Sequence, residues 1–282
     1  MPIAEENIRI AAEWRAAVEL PYTWRNARNQ AGVLGETPEG EAGGLFAYCD
    51  RLPNRRVYMK PRKRDHGHCR SRCAREKIAA DLAHDLRVSV PPVLLARRTD
   101  SVPSGEEEFV CVSLVMCPAQ WSWGQLKDQI DKRNYPTELA AESLPAEAAR
   151  AFAFDTWVGQ SDHGDHPHNI VFGYVPVDPP EYSTWIFLDY SFAFGWGGSW
   201  ENDGALTCEA ARFPSAMLNR IDESVLDRSV SDIESFDVDV IADVVDRIPN
   251  SHMADVDKVT IRDGLIARRA LVRKAIASVR LE

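Results

Sequence analysis

Residues 151–175, AFAFDTWVGQSDHGDHPHNIVFGYV, and residues 185–195, WIFLDYSFAFG, decide the fold. Between Ser161 and Asn169, nine positions hold two aspartates, three histidines and an asparagine. They follow an apolar helix end and precede an apolar strand. The run WIFL then delivers one acid, Asp189, into a turn ending in glycine. A carboxylate between WIFL and FAFG is expected to be buried, and buried carboxylates are rarely left without a cation. The polar loop has three chemistries open to it. It is a transition-metal site through His163, His166 and His168 with Asp162 and Asp165, a catalytic acid/base loop, or a plain polar loop.

Working outward, the text before this stretch reads as strands and the text after it as helices. AEENIRIAAEWRAAVEL predicts an opening helix, with Ile10, Trp14 and Val18 on one face. GLFAYCD and RVYMK predict two strands around the turn RLPNR. CAREKIAADLAHDL predicts a helix, and EEFVCVSLVMCPA a buried strand that stops at Pro118. SLPAEAARAFAFDTWVG predicts a helix with Pro145 in its first turn. From about residue 210 the pattern is helical again, closing with one amphipathic helix, IRDGLIARRALVRKAIASV, with Ile261, Leu265, Val272, Ile276 and Val279 on its apolar pattern. The expected fold class is α+β and bilobal: a strand-rich lobe over 1–118 and a mainly helical lobe over 119–282, forming one catalytic domain.

Composition narrows the functions. The chain has 282 residues, 45% of them hydrophobic, which is enough for a full core. Its net charge of −10 weighs against a nucleic-acid partner. No apolar run approaches the ~18 residues of a membrane span, and MPIAEENIRI carries no signal-peptide pattern. A cytoplasmic protein with reduced thiols is expected, since the six cysteines lack a disulfide spacing.

Phosphoryl transfer needs a cation on the phosphates, oxygen ligands for Mg²⁺ and an acid beside the attacking hydroxyl. The chain supplies each in order. Lys60 ends RVYMK, Glu76 lies on the following helix, and Asp162, Asn169 and Asp189 sit in the second half. A lysine at a strand end or a glutamate on a helix is, taken singly, an ordinary surface charge. The ordered set is far more specific than any member.

The quoted stretch resembles the HipA-like kinases and, more distantly, the phosphatidylinositol 3/4-kinase-like catalytic core. CAREKIAADLAHDLRVSVPP is similar to that family's αC helix and the segment after it. The resemblance covers roughly 40–282 and is strongest over 150–195. It implies ATP and Mg²⁺ as cofactors. Lys60 would be the phosphate-binding lysine, Glu76 its helix partner, Asp162 the catalytic aspartate, and Asn169 and Asp189 the metal ligands. Met116 and Cys117 in LVMCPA would present backbone groups to adenine.

Two departures stand out. The family's catalytic aspartate precedes its asparagine by five positions, where this chain has Gly164. Asp162, seven before Asn169, keeps the helix-to-loop register; Asp165, four before, is the alternative, and His163 replaces the usual arginine. The glycine-rich entry EGEAGGLFAY, with Gly43 and Gly44, lacks G-x-G-x-x-G. The basic run KPRKRDHGHCRSRCAR reads as a loop over the cleft that attracts phosphates, as a plain solvated loop, or as a zinc site through His66, His68, Cys69 and Cys73. The expected activity is γ-phosphate transfer to a hydroxyl, foremost Ser/Thr of a protein or peptide. A small-molecule hydroxyl and a non-catalytic nucleotide-binding module are the alternatives.

Overall fold

The computed structural model describes residues 2–22, 24–26, 45–49, 52–61, 71–98, 109–132, 137–176, 182–195, 200 and 207–279. Gly43 and Gly44, and His66, His68 and Cys69 of the basic run, lie outside these residues.

Helix α1 (Ile3–Ala17) opens the chain, followed by β1 (Glu19–Tyr22), β2 (Trp24–Asn26), β3 (Leu45–Cys49) and β4 (Leu52–Pro61). Then come α2 (Arg72–Asp85), β5 (Val93–Arg98) and β6 (Phe109–Leu114). These strands form one six-stranded sheet in the order β1-β5-β6-β4-β3-β2, with β1 parallel to β5 and the other pairs antiparallel. Strand alternation sends successive side chains to opposite faces. Val57 and Met59 of β4, Leu94 and Ala96 of β5, and Val110, Val112 and Leu114 of β6 join Ile10 and Trp14 of α1 in one core. Val93, Leu95 and Cys111 face the other way, with Cys73, Ala74 and Ile78 of α2. Lys60, one residue after Met59, is therefore turned to the α2 face.

Residues 115–118 lead to the second lobe, which contains β7 (Ala119–Ser122), α3 (Trp123–Leu126), α4 (Thr137–Val158), α5 (Asp162–Asp165), β8 (Ile170–Tyr174) and β9 (Ser183–Phe187). The closing helices are α6 (Ser215–Leu218), α7 (Glu223–Glu234), α8 (Val238–Asp246), α9 (Asp255–Arg268) and α10 (Val272–Val279). β7, β8 and β9 make a three-stranded antiparallel sheet that carries the polar loop at one end of β8 and Asp189 just past β9. α4 is the buried axle of this lobe: Phe152, Phe154, Trp157 and Val158 are all in its core.

Several elements depart from expectation. Helix α1 ends at Ala17, with Val18 as its left-handed cap, and Glu19 and Leu20 of the expected helix begin β1. Strand β6 ends at Leu114, short of Pro118. β4 starts at Leu52, inside the expected turn; the register shifts so that Cys49 faces Leu52 and Tyr48 faces Arg56. Pro53, which has no N–H to donate, falls in the stretch that this shift leaves unpaired with β3. The segment after Pro92 is a central strand, β5. Helix α4 begins at Thr137, which places Pro145 inside it rather than in its first turn; the buried Ala140 and Leu144 hold the helix together where proline removes one backbone bond. The closing helix is two, α9 and α10, and Val279 is exposed. Arg269, in the break, donates to the Phe236 carbonyl.

The two lobes are tied through α2. Fully buried Lys77 donates to the Trp14 carbonyl at 3.0 Å and pairs with Asp81 at 2.8 Å; Asp81 also takes Arg247, after α8, at 2.5 Å. Burial pulls the Lys77 pKa down to about 8 against the attraction of Asp81. Between about pH 8 and the ordinary lysine value of 10.5, the unfolded chain therefore binds more protons than the folded one, and stability rises with pH across that window. Urea unfolding of the wild type and Lys77→Met at about pH 7 and about pH 10 should show the wild type gaining on the variant by about 2 kcal/mol. Parallel pH dependence in the two proteins would mean that Lys77 titrates as a solvated lysine.

Candidate active site

The cleft between the two sheets collects the charges. Lys60 Nζ donates to Glu76 Oε1 and lies 2.9 Å from Asp189 Oδ1. The other Glu76 oxygen accepts from the Tyr190 N–H at 3.3 Å. One glutamate on α2 thus connects the sheet lysine to the segment that carries Asp189. Burial disfavours the Lys60 ammonium, but Glu76 and Asp189 outweigh it and hold its pKa above the ordinary value. Burial also opposes the Asp189 charge, yet Lys60 and a 2.5 Å bond from Ser191 Oγ keep its carboxyl well below the usual range. Burial and the neighbouring Asp189 push Glu76 up, against the pull of Lys60. Two carboxylates share one ammonium here, so the site favours additional positive charge.

Asp189 itself has left-handed backbone, with φ 62°. Such a conformation in a non-glycine residue costs on the order of 1–3 kcal/mol and needs support from its surroundings. Gln160 Nε2 donates to the Asp189 carbonyl at 2.7 Å. Further along, Arg75 of α2 donates to the Ala193 and Phe194 carbonyls, where Phe194 is again left-handed. Gly195 closes the turn with φ 72°, and any Cβ there would collide with the Trp200 ring. This turn is glycine for both reasons.

The polar loop separates its aspartates. Asp162 Oδ2 accepts from Asn169 Nδ2 at 3.1 Å, and Oδ1 lies 3.3 Å from His166 Nε2; its side chain is 14% exposed. Burial raises the Asp162 pKa, against His166. Asp165 is 58% exposed and pairs with Arg212 at 3.1 Å, on the surface. Gly164 lets the loop press on the Arg212 backbone, 2.8 Å from where a Cβ would stand. His163 turns inward. Its Nδ1 meets Asp155 Oδ2 at 2.5 Å, its Nε2 donates to the Leu188 carbonyl at 2.8 Å, and Tyr190 donates to the other Asp155 oxygen at 2.8 Å. Burial works against a charged ring, but Asp155 and the Leu188 carbonyl raise the His163 pKa. Imidazole, carboxylate and phenol together clamp the polar loop to α4 and to the backbone beside Asp189.

Asp155, Gln160, Tyr190 and Arg75 were not singled out from sequence. Only Asp155 left a usable signal, as an acid inside the apolar run AFAFDTWV.

The connection between the lobes is buried. The Met116 carbonyl accepts from Asn7 of α1 at 3.1 Å, and the Val115 carbonyl from Arg55 at 3.1 Å. The Cys117 backbone makes no hydrogen bond to a described residue. Its side chain packs on β8, where a Cβ on Gly173 would stand 2.8 Å from the Cys117 Cβ. Burial pushes the Cys117 thiol up to about 12. Met116, Cys117, Val171 and Ile186 form a small buried apolar cluster, with Leu188 partly buried against it. Met116 keeps only its N–H outside the described hydrogen bonds, whereas Cys117 keeps both backbone groups.

Among the described residues, no three His, Cys, Asp or Glu side chains converge as a metal cage. His163 points into the core, away from His166 and His168. Cys73, the described member of the basic run's zinc-type ligands, is buried against the sheet, its Sγ 3.6 Å from the Lys60 carbonyl. The donor chemistry fits a hard cation completed by phosphate oxygens. Asn169 spends its amide N–H on Asp162, which leaves its carbonyl oxygen able to serve as a ligand, with the Asp189 carboxylate as a second candidate. Mg²⁺ is commonly held by one or two protein oxygens plus substrate phosphates.

No family model matches the sequence, and no curated protein matches it. The structure is similar to the crystal structure of a proinflammatory kinase of Helicobacter pylori, CtkA. The TM-score is 0.62 at 14% sequence identity, covering 91% of this chain and 96% of that one. At that identity the likeness is one of fold, and the chain has the α+β, bilobal protein-kinase-like fold. No helix of the described residues is long and apolar enough to cross a membrane.

Proposed function

We propose that the protein is a HipA-like kinase that transfers the γ-phosphate of ATP, with Mg²⁺, to a Ser/Thr hydroxyl of a protein or peptide. The observation that carries this reading is the Lys60–Glu76–Asp189 ion triad, with Asp162 bonded to Asn169 and close enough to feel the Asp189 charge. The base would lie on the apolar patch beside Cys117, and Lys60, held by Glu76, would take the α/β-phosphates. Asn169 and Asp189 would hold Mg²⁺, which supplies charge neutralisation on the phosphates. The acceptor oxygen attacks the γ-phosphorus as its proton passes to Asp162. The bond from the γ-phosphorus to the β–γ bridging oxygen breaks, and ADP leaves with that electron pair. Asp162 suits this task because burial makes it more basic than a surface carboxylate. The His163–Asp155 clamp orients the loop that carries it.

Incubation with γ-labelled ATP and Mg²⁺, with and without protein and peptide substrates, followed by intact mass, tests the reading. Incorporation of label that needs Mg²⁺ is the expected result. Nucleotide binding with no transfer to any acceptor, including the chain itself, would make the protein a nucleotide-binding module.

A further inference from the structure

The first turn of α2 has the wrong charge for a helix that ends on its own. The positive end of a helix dipole favours acidic side chains, and this turn has none; it holds Arg72 and Arg75 instead. Arg75 is engaged with the Ala193 and Phe194 carbonyls and with Ser71 Oγ. Arg72 is not. It is 8% exposed, its Nε is buried without a hydrogen-bond partner, and no described carboxylate pairs with it. Buried Glu76 and partly exposed Asp189, the acids nearby, answer Lys60. A guanidinium with its Nε buried and unpartnered, and no carboxylate beside it among the described residues, is costly, and opposing a helix dipole adds to the cost.

Position says what the anion is. Arg72 stands one turn before Glu76, on the same face of α2 and about 6 Å along its axis. Tyr58, two residues before Lys60 on β4, shares the Lys60 face of the sheet. Burial raises its phenol, and Lys60, Asp189, Arg72 and Glu76 all act on it, so the Arg72 charge belongs to the same cleft. The direction of α2 is equally informative. Its far end, at Ala80, Asp81 and His84, lines a cavity of about 380 Å³ together with Met116. The helix therefore runs from Arg72 towards the inter-lobe connection. A nucleotide with its base beside Cys117 and its phosphates at Lys60 extends the opposite way, towards Arg72.

We propose that Arg72 and the N–H groups of the first turn of α2 form a phosphate-monoester site beyond Lys60. Its ligand is a terminal phosphate dianion, either that of the nucleotide or one carried on a phosphorylated side chain. Guanidinium and helix N-terminus are both suited to this group. The choice of phosphate over another anion rests on the phosphotransferase reading; the presence of an anion site does not.

Titration calorimetry on the full chain tests it, with inorganic phosphate, phosphoserine, ADP and ATP as probes and acetate as control. The wild type should bind phosphate in preference to acetate, and Arg72→Gln should weaken phosphate at least about tenfold. Arg72→Lys, which keeps the charge but loses the planar fork, should fall between them. It also serves as the informative variant if Arg72→Gln fails to fold by circular dichroism. Loss confined to ATP, with ADP unchanged, identifies the nucleotide's terminal phosphate as the ligand. Loss confined to inorganic phosphate and phosphoserine identifies a phosphorylated side chain. Unchanged binding of all four probes in both arginine variants would overturn the site, as would acetate binding as tightly as phosphate. Label transfer from γ-labelled ATP is measured in parallel. A chain that binds phosphate through Arg72 but transfers none keeps this site while losing the catalytic reading.

Discussion

Asp162→Ala is expected to lower phosphoryl transfer by about 10²- to 10⁴-fold, the usual effect of removing a positioned acid/base, while Asp165→Ala stays within about tenfold of the wild type. The geometry separates the two carboxylates clearly. Asp162 is largely buried, faces Asn169 and has its pKa raised by that burial. Asp165 is at the surface with Arg212 as its partner. A proton acceptor must lie near the proposed metal ligands, and of the two only Asp162 does, bonded to Asn169 and within reach of the Asp189 charge. Nucleotide affinity should survive in both variants, because neither residue approaches Lys60. Steady-state transfer rates and nucleotide titrations on the two alanine variants decide the matter. The opposite ranking would move the proton acceptor to Asp165.

The second large effect is on the metal side. Asp189→Asn should cost at least about 10²-fold in Mg²⁺-dependent transfer, equivalent to ~3 kcal/mol of barrier. The substitution preserves volume and the Gln160 bond to the backbone carbonyl, so the turn should keep its shape. It removes the charge that lies 2.9 Å from Lys60 and that accepts from Ser191. Lys60 retains Glu76, so the lysine should stay in place and the fold should hold. The signature is therefore a steep loss of transfer with unchanged circular dichroism. Turnover within a few-fold of the wild type would show that Asp189 only anchors Lys60.

Much of the fold is written in local periods. The four-residue spacing of Ile10 and Trp14 makes α1 amphipathic, and the apolar run FVCVSL marks β6 as a strand buried on both faces. Alternation settles that Lys60 and Met59 face opposite sides of β4. Where local signals mislead, a long-range environment is the cause. Pro145 resembles a helix start, yet the buried residues on both sides of it make it interior. The apolar spacing in the closing segment continues through a break that is only visible once Arg269 finds the Phe236 carbonyl. The run VLLARR has no alternation to mark it as a strand, since it is covered on both faces, by α1 and by α2.

The sequence by itself determined which chemistry-bearing residues the chain owns and their order: Lys60, Glu76, Asp162, Asn169 and Asp189, with an apolar strand ahead of the last. The tertiary structure alone decided which of them meet. Lys60 reaches Asp189, Arg75 crosses 119 positions to the Phe194 carbonyl, and Tyr190 joins Asp155 and His163 in one buried network. The same holds for Arg72, which in the sequence is one more cation in a basic run and in the fold is largely buried, with no carboxylate partner among the described residues. The physical reason is that periodicity encodes only an element's own buried face. The energy of a buried charge depends on its partners, and those are supplied by elements remote in the chain.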